Sequence, residues 1–119
     1  MTRKLHWAAL TLAGLVLAAL VAVPALARQE ANVSRKVNAT EFKFALTLKT
    51  AKPGTVTFLV NNKGKLPHDF KIAGKKTPLI AAGGHNATLK VTLKRGRYKY
   101  ICTVPGHAAA GMSGFFTVK

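Results

Sequence analysis

Beyond about residue 33 the chain alternates apolar and polar positions in short runs, the period of strands that bury one face. Val33, Arg35 and Val37 open the first alternation. Phe42, Phe44, Leu46 and Leu48 make a second run whose side chains are expected to face inward. Lys52-Pro53-Gly54 reads as a turn into a strand whose apolar face is Val56, Phe58 and Val60, and Asn61-Asn62-Lys63-Gly64 ends that strand. His68, Phe70 and Ile72 share one face of a short strand, which aims His68 toward the interior. Residues 73–86 form an irregular crossing with a helical turn expected near Leu79–Ala82. Leu89, Val91 and Leu93 alternate again, Lys94-Arg95-Gly96-Arg97 is a basic turn, and Tyr98, Tyr100 and Cys102 fall on one face. Cys102 is therefore the last inward residue of its strand. Gly114, Phe116 and Val118 close the pattern. No helical period is sustained over ten residues, and there is no internal repeat. About seven short strands at this spacing predict an all-β antiparallel sandwich.

The N-terminal stretch has a different character. Arg3 and Lys4 form a basic n-region, Ala8 to Val23 is an uncharged apolar run, and Pro24-Ala25-Leu26-Ala27 offers a small-residue cleavage site. Residues 1–27 are read as a secretory signal peptide cleaved after Ala27, leaving one domain over residues 28–119. The alternative is a retained membrane anchor, because the run approaches the roughly 20 residues that span a bilayer. The cleavage site directly after the run favours removal. No cysteine stands near it to accept a lipid. The reading places the protein outside the cytoplasm, in the periplasm or at the extracellular face of the envelope.

Charge adds a constraint on partners. Nineteen Lys and Arg face three acidic residues (Glu30, Glu41 and Asp69), a formal +16 at pH 7. Such a balance invites a nucleic-acid reading. Export, the scatter of basic residues along every strand and the scarcity of aromatics among them argue against it. What remains is a solvated basic surface, or attraction to acidic redox partners or anionic membrane surfaces. The domain is expected to be a monomer.

The chemistry is concentrated in Cys102-Thr-Val-Pro-Gly-His107-Ala-Ala-Ala-Gly-Met112. A single cysteine in an exported chain cannot form an internal disulfide, so it pairs between chains, stays free or binds a metal. A buried structural thiol is the ordinary alternative. Here the thiol stands five residues from a histidine and ten from a methionine, in a loop punctuated by Pro105, Gly106 and Gly111. With His68 upstream, the donors are two imidazoles, one thiolate and one thioether. That set is the one found in blue-copper sites, and it is acceptable to both Cu(II) and Cu(I). Alone, His68 would be a core or turn residue and Met112 loop packing; order and spacing reverse both readings. His85 has no such company and reads as an exposed loop histidine, and His6 leaves with the signal. The same four ligands would also accept Zn(II).

These residues carry a family resemblance. The chain from about Val33 to Lys119 resembles the small blue-copper cupredoxins of the plastocyanin/azurin superfamily. Its Cys-x4-His-x4-Met spacing is similar to that of rusticyanin and auracyanin rather than to the shorter plastocyanin loop. The resemblance implies a cupredoxin-like Greek-key sandwich holding one type 1 copper ion, with His68, Cys102, His107 and Met112 as ligands. It implies that Cys102 carries electrons in along its strand. His107 would present its outer ring edge as the electron port within an apolar patch of Pro105, Gly106 and Ala108 to Ala110, with Leu66 and Pro67 expected on its rim. Asp69 departs from the asparagine found in many relatives. Its carboxylate is expected either to accept hydrogen bonds from Thr103, beside the metal, or to be a solvated charge at a strand edge.

A binuclear copper centre needs two cysteines, and an oxidase or nitrite reductase needs further domains. Acyl transfer through Cys102 and His107 lacks an orienting third residue. The expectation is a non-enzymatic one-electron carrier between redox partner proteins, with copper delivery in the cell envelope as the alternative.

Overall fold

The computed structural model describes residues 13–21 and 31–119. The proposed signal peptide and its cleavage site fall largely on residues 1–12 and 22–27, outside the described residues. Residues 13–21 are exposed and form neither helix nor strand. Among the described residues no helix is long and apolar enough to cross a membrane.

Nine strands follow: β1 (Ala31–Thr40), β2 (Lys43–Leu46), β3 (Thr50–Ala51), β4 (Gly54–Asn62), β5 (Lys71–Ile72), β6 (Lys75–Lys76), β7 (Asn86–Leu93), β8 (Gly96–Ile101) and β9 (Ser113–Val118). They make two sheets, ordered β2-β1-β4-β7 and β3-β9-β8-β5-β6. The all-β sandwich expected from the alternation is what the chain forms. Three of the strands are two-residue ladders, too short to leave a periodic signal.

The sheets are mixed rather than purely antiparallel. β1 runs parallel to β4, and β3 runs parallel to β9. Alternation reveals which face of a strand is buried but not which neighbour it pairs with, so direction was invisible to it. Gly54 permits the β1–β4 pairing: its φ is +142°, and a Cβ there would run into the backbone of Ala31.

The inward faces interlock across the sandwich. Val37, Val56, Phe58, Val60 and Val91 from one sheet meet Ile72, Tyr100, Phe116 and Val118 from the other, all buried. Aromatic rings dominate the centre: Phe58 lies against Phe70 and Phe116, and Phe70 stacks on Tyr100, with centroids 5.1–5.5 Å apart. Each such side chain contributes roughly 1.5–3 kcal/mol on burial. Phe70 sits two residues after His68, and Tyr100 two before Cys102. The aromatic core is therefore the floor on which both residues stand.

Two expected inward residues turn outward. Phe42 lies in the turn between β1 and β2 and is 37% exposed, and Leu48 is exposed in the link to β3. The period-two run breaks at that turn, so only its middle follows the sheet. The helical turn expected near Leu79–Ala82 is also absent, because Ile80 is drawn into a bridge with His68.

Candidate metal centre

His68 is held by its backbone on both sides. Its N–H donates to the Ile80 carbonyl at 3.1 Å, and the Ile80 N–H donates back at 2.7 Å. Asn62, fully buried at the end of β4, donates from Nδ2 to the carbonyls of Leu66 and Ile80 at 2.8 and 2.9 Å. The two arms flanking His68 are thus tied to one side chain.

Cys102 leaves β8 pointing inward, as the alternation requires. The loop after it closes on itself: the Cys102 N–H donates to the Met112 carbonyl, and the Met112 N–H to the His107 carbonyl, both at 3.1 Å. Met112 is fully buried. Gly111 has a φ of +119°, and a Cβ there would lie 3.2 Å from the Phe42 carbonyl oxygen. A larger residue would be strained by that φ and would need loop or turn to give by a few tenths of an ångström.

The alternation and the loop bring three donor side chains together. One donor atom from each of His68, Cys102 and His107 lies within 4.8 Å of the others, and all three residues are buried. His68 Nδ1 and His107 Nδ1 are 3.1 Å apart, and Cys102 Sγ is 3.6 Å from His107 Nδ1. Metal–nitrogen and metal–sulfur bonds of about 2.0–2.3 Å at tetrahedral angles put donor atoms roughly 3.3–3.6 Å apart, within a few tenths of an ångström of these distances. The donor types and spacings fit a metal ion. Burial pushes the Cys102 thiol above its usual pKa, and the negative charge of Asp69 adds to the effect. Without metal the sulfur keeps its proton, which a metal ion would replace.

Asp69 takes the first of its two expected roles. It is buried, its Oδ1 accepts the Thr103 N–H at 2.6 Å, and its Oδ2 accepts the Thr103 hydroxyl. The residue following His68 is thereby linked to the residue following Cys102. His85 is exposed, as expected.

The sequence reading missed Glu41 and Phe42. Glu41 Oε1 accepts the N–H groups of Lys65 and Leu66 at 2.7 and 2.8 Å and lies 3.1 Å from His68 Nε2. Chiefly through the Leu66 N–H, with Lys65 and His68 adding to it, the carboxyl pKa falls to about 2. The Phe42 ring packs edge-on against His107, centroids 5.0 Å apart. His107 is only 9% exposed, and Phe42, which was not among the residues expected to surround its imidazole edge, shares that surface. No local motif marks either contact. The one available signal was the rarity of acidic residues, which makes each carboxylate worth placing.

A profile of copper binding proteins, plastocyanin/azurin family, matches residues 31–119. The chain belongs to this family. It is a blue-copper cupredoxin, and the metal suited to its donor set is copper. No curated protein sequence matches it. Among solved structures, auracyanin A, a "blue" copper protein from Chloroflexus aurantiacus, aligns at a TM-score of 0.63 and 24% identity, covering 75% of this chain and 100% of that one. Auracyanin from Roseiflexus castenholzii aligns at 0.59 and 20%, covering 74% and 96%. Reduced rusticyanin aligns at 0.56 and 25%, covering 74% and 79%. These likenesses establish the cupredoxin fold.

Proposed function

We propose that the protein is an exported, mononuclear type 1 copper protein that carries one electron at a time between redox partner proteins. In this reading His68, Cys102, His107 and Met112 would hold the copper ion. The observation that carries the proposal is the buried triad of two imidazoles and a thiol at metal-bridging distances. Bound copper supplies the Cu(II)/Cu(I) couple. The chain's own residues keep the ligands fixed between oxidation states. His68 is bonded into a bridge, Cys102 directly follows β8, and His107 and Met112 belong to a loop closed by its own hydrogen bonds.

The same features speak against copper delivery, which needs an accessible ligand set on a mobile segment. They also speak against an enzyme. The thiol is buried and kept protonated, and His68 and His107 converge on it in one small buried cluster.

Partners would approach the end of the sandwich where Phe42, Leu66, Pro67, Leu79 and Pro105 are exposed. Lysines such as Lys63 and Lys65 border it and favour a partner of negative charge, an acidic redox protein or an anionic membrane surface. The domain acts as a monomer.

The test is the absorption spectrum after Cu(II) addition. The wild type should show an intense thiolate charge-transfer band in the visible, bleached by ascorbate and restored on oxidation, and Cys102→Ser should lose it. Weak, ordinary Cu(II) absorption would overturn the proposal.

A further inference from the structure

Between residues 31 and 119, in a chain of net charge +16, the only acidic side chains are Glu41 and Asp69. Both lie beside the ligand cluster. The contacts of Asp69 run through Thr103, whereas Glu41 reaches a ligand ring directly, from a turn far away in sequence.

The surroundings of Glu41 are shaped to hold a carboxylate. One oxygen, Oε1, accepts two backbone N–H groups, from Lys65 and Leu66, and faces His68 Nε2. An oxygen that already accepts two N–H groups is an acceptor toward the third partner too, so Nε2 carries the hydrogen. A neutral His68 then has its lone pair on Nδ1, the atom 3.1 Å from His107 Nδ1. Gly64 makes room: a Cβ on it would collide with the Glu41 carboxylate. The Gly64 N–H is in turn held by Asn62 Oδ1 at 2.9 Å, so the loop is fixed around the acid. The next residue of the turn, Phe42, bears on the other histidine.

We propose that Glu41 is a positioning residue for the metal centre: it fixes His68 with Nε2 protonated and Nδ1 directed at Cys102 and His107, and its charge biases the centre toward Cu(II). The proposal rests on the type 1 copper reading above for its second half only. A carboxylate bonded to the remote nitrogen of a ligand histidine raises ligand basicity and locks the ring. The orientation half concerns the metal-free protein and stands by itself.

Two measurements test it, with Glu41→Gln as the principal variant. Glutamine keeps an oxygen that can accept all three hydrogen bonds, so it removes the charge while preserving the scaffold. In the copper-loaded protein, Glu41→Gln should retain the visible band. At a fixed solution potential its Cu(I)/Cu(II) ratio should rise about tenfold, equivalent to about 59 mV for one electron. An unchanged ratio in a protein that keeps its band overturns the charge role. In the metal-free protein, nitrogen-15 NMR of His68 should show the hydrogen on Nε2 in the wild type and in Glu41→Gln. Glu41→Ala should give a mixture of tautomers. A wild-type His68 carrying its hydrogen on Nδ1 overturns the positioning role. Should the wild type fail to develop the band, the copper reading falls, and the NMR result still decides whether Glu41 orients His68.

Discussion

Replacing Asp69 with alanine tests how much the link between the two ligand segments contributes. The carboxylate is buried, and it accepts both the N–H and the hydroxyl of Thr103. Its contact with Lys76 Nζ, at 3.9 Å to an exposed lysine, adds little. Hydrogen bonds to a charged group contribute about 1.5–3 kcal/mol each, and two on one carboxylate are not independent. Asp69→Ala should therefore destabilise the metal-free protein by about 3 kcal/mol. For a domain of this size that corresponds to a fall in Tm of roughly 12–24 °C. Asp69→Asn retains an acceptor for the Thr103 N–H, and the hydroxyl can turn to accept from the new amide, so it should lose only about 1 kcal/mol. Urea unfolding followed by circular dichroism measures both. A loss below about 1 kcal/mol for the alanine variant would mean that water replaces the carboxylate at no cost, and the link would be incidental. The asparagine variant isolates charge as well: without the carboxylate beside Thr103, the Cys102 thiol should ionise at lower pH, which thiolate absorbance reports.

Three further outcomes follow from particular contacts. Gly64→Ala puts a Cβ into the Glu41 carboxylate and should shift the Cu(I)/Cu(II) balance in the same direction as Glu41→Gln, as read by voltammetry. Glu41 has a folded pKa of about 2 against an ordinary 4.5, so its contribution is complete above the higher value and lost as pH falls toward the lower. The urea midpoint of the metal-free protein should decline over that interval, and Glu41→Gln should flatten the decline. The basic surface should make an anionic iron complex exchange electrons faster than a cationic one of matched driving force. That gap should close as salt rises, and a rate ratio indifferent to ionic strength would assign the charge to solubility alone.

What could be read from the sequence was what repeats locally. Val56, Phe58 and Val60 announce their buried face every second residue, and the same rule turns Cys102 and His68 inward. The Cys102–His107–Met112 spacing is contained in one loop and needs no knowledge of distant partners. Strand direction, by contrast, depends on the path between β2 and β4, which leaves no periodic trace. Phe42 misled for a related reason: its apolar character fits the strand pattern, but the chain turns there and the ring finds His107 instead of the core.

The arrangement of charge could be read only in part. The scarcity of acids is plain in the composition, yet composition does not say that Glu41 and Asp69 would gather at one end. Asp69 could be placed because it adjoins a candidate ligand. Glu41 could not, since its partners lie 24 to 27 residues away. Once placed, the two explain each other. A carboxylate on an otherwise cationic surface would be drawn to any nearby lysine, and such exposed pairs contribute little. Both acids instead accept backbone N–H groups around the ligand cluster, where hydrogen bonds to a charged oxygen are stronger and their charge would act on a bound copper ion. Surface and centre thus carry opposite signs, and each can be changed without the other: lysine substitutions should alter encounter rates, and Glu41 or Asp69 substitutions the redox balance.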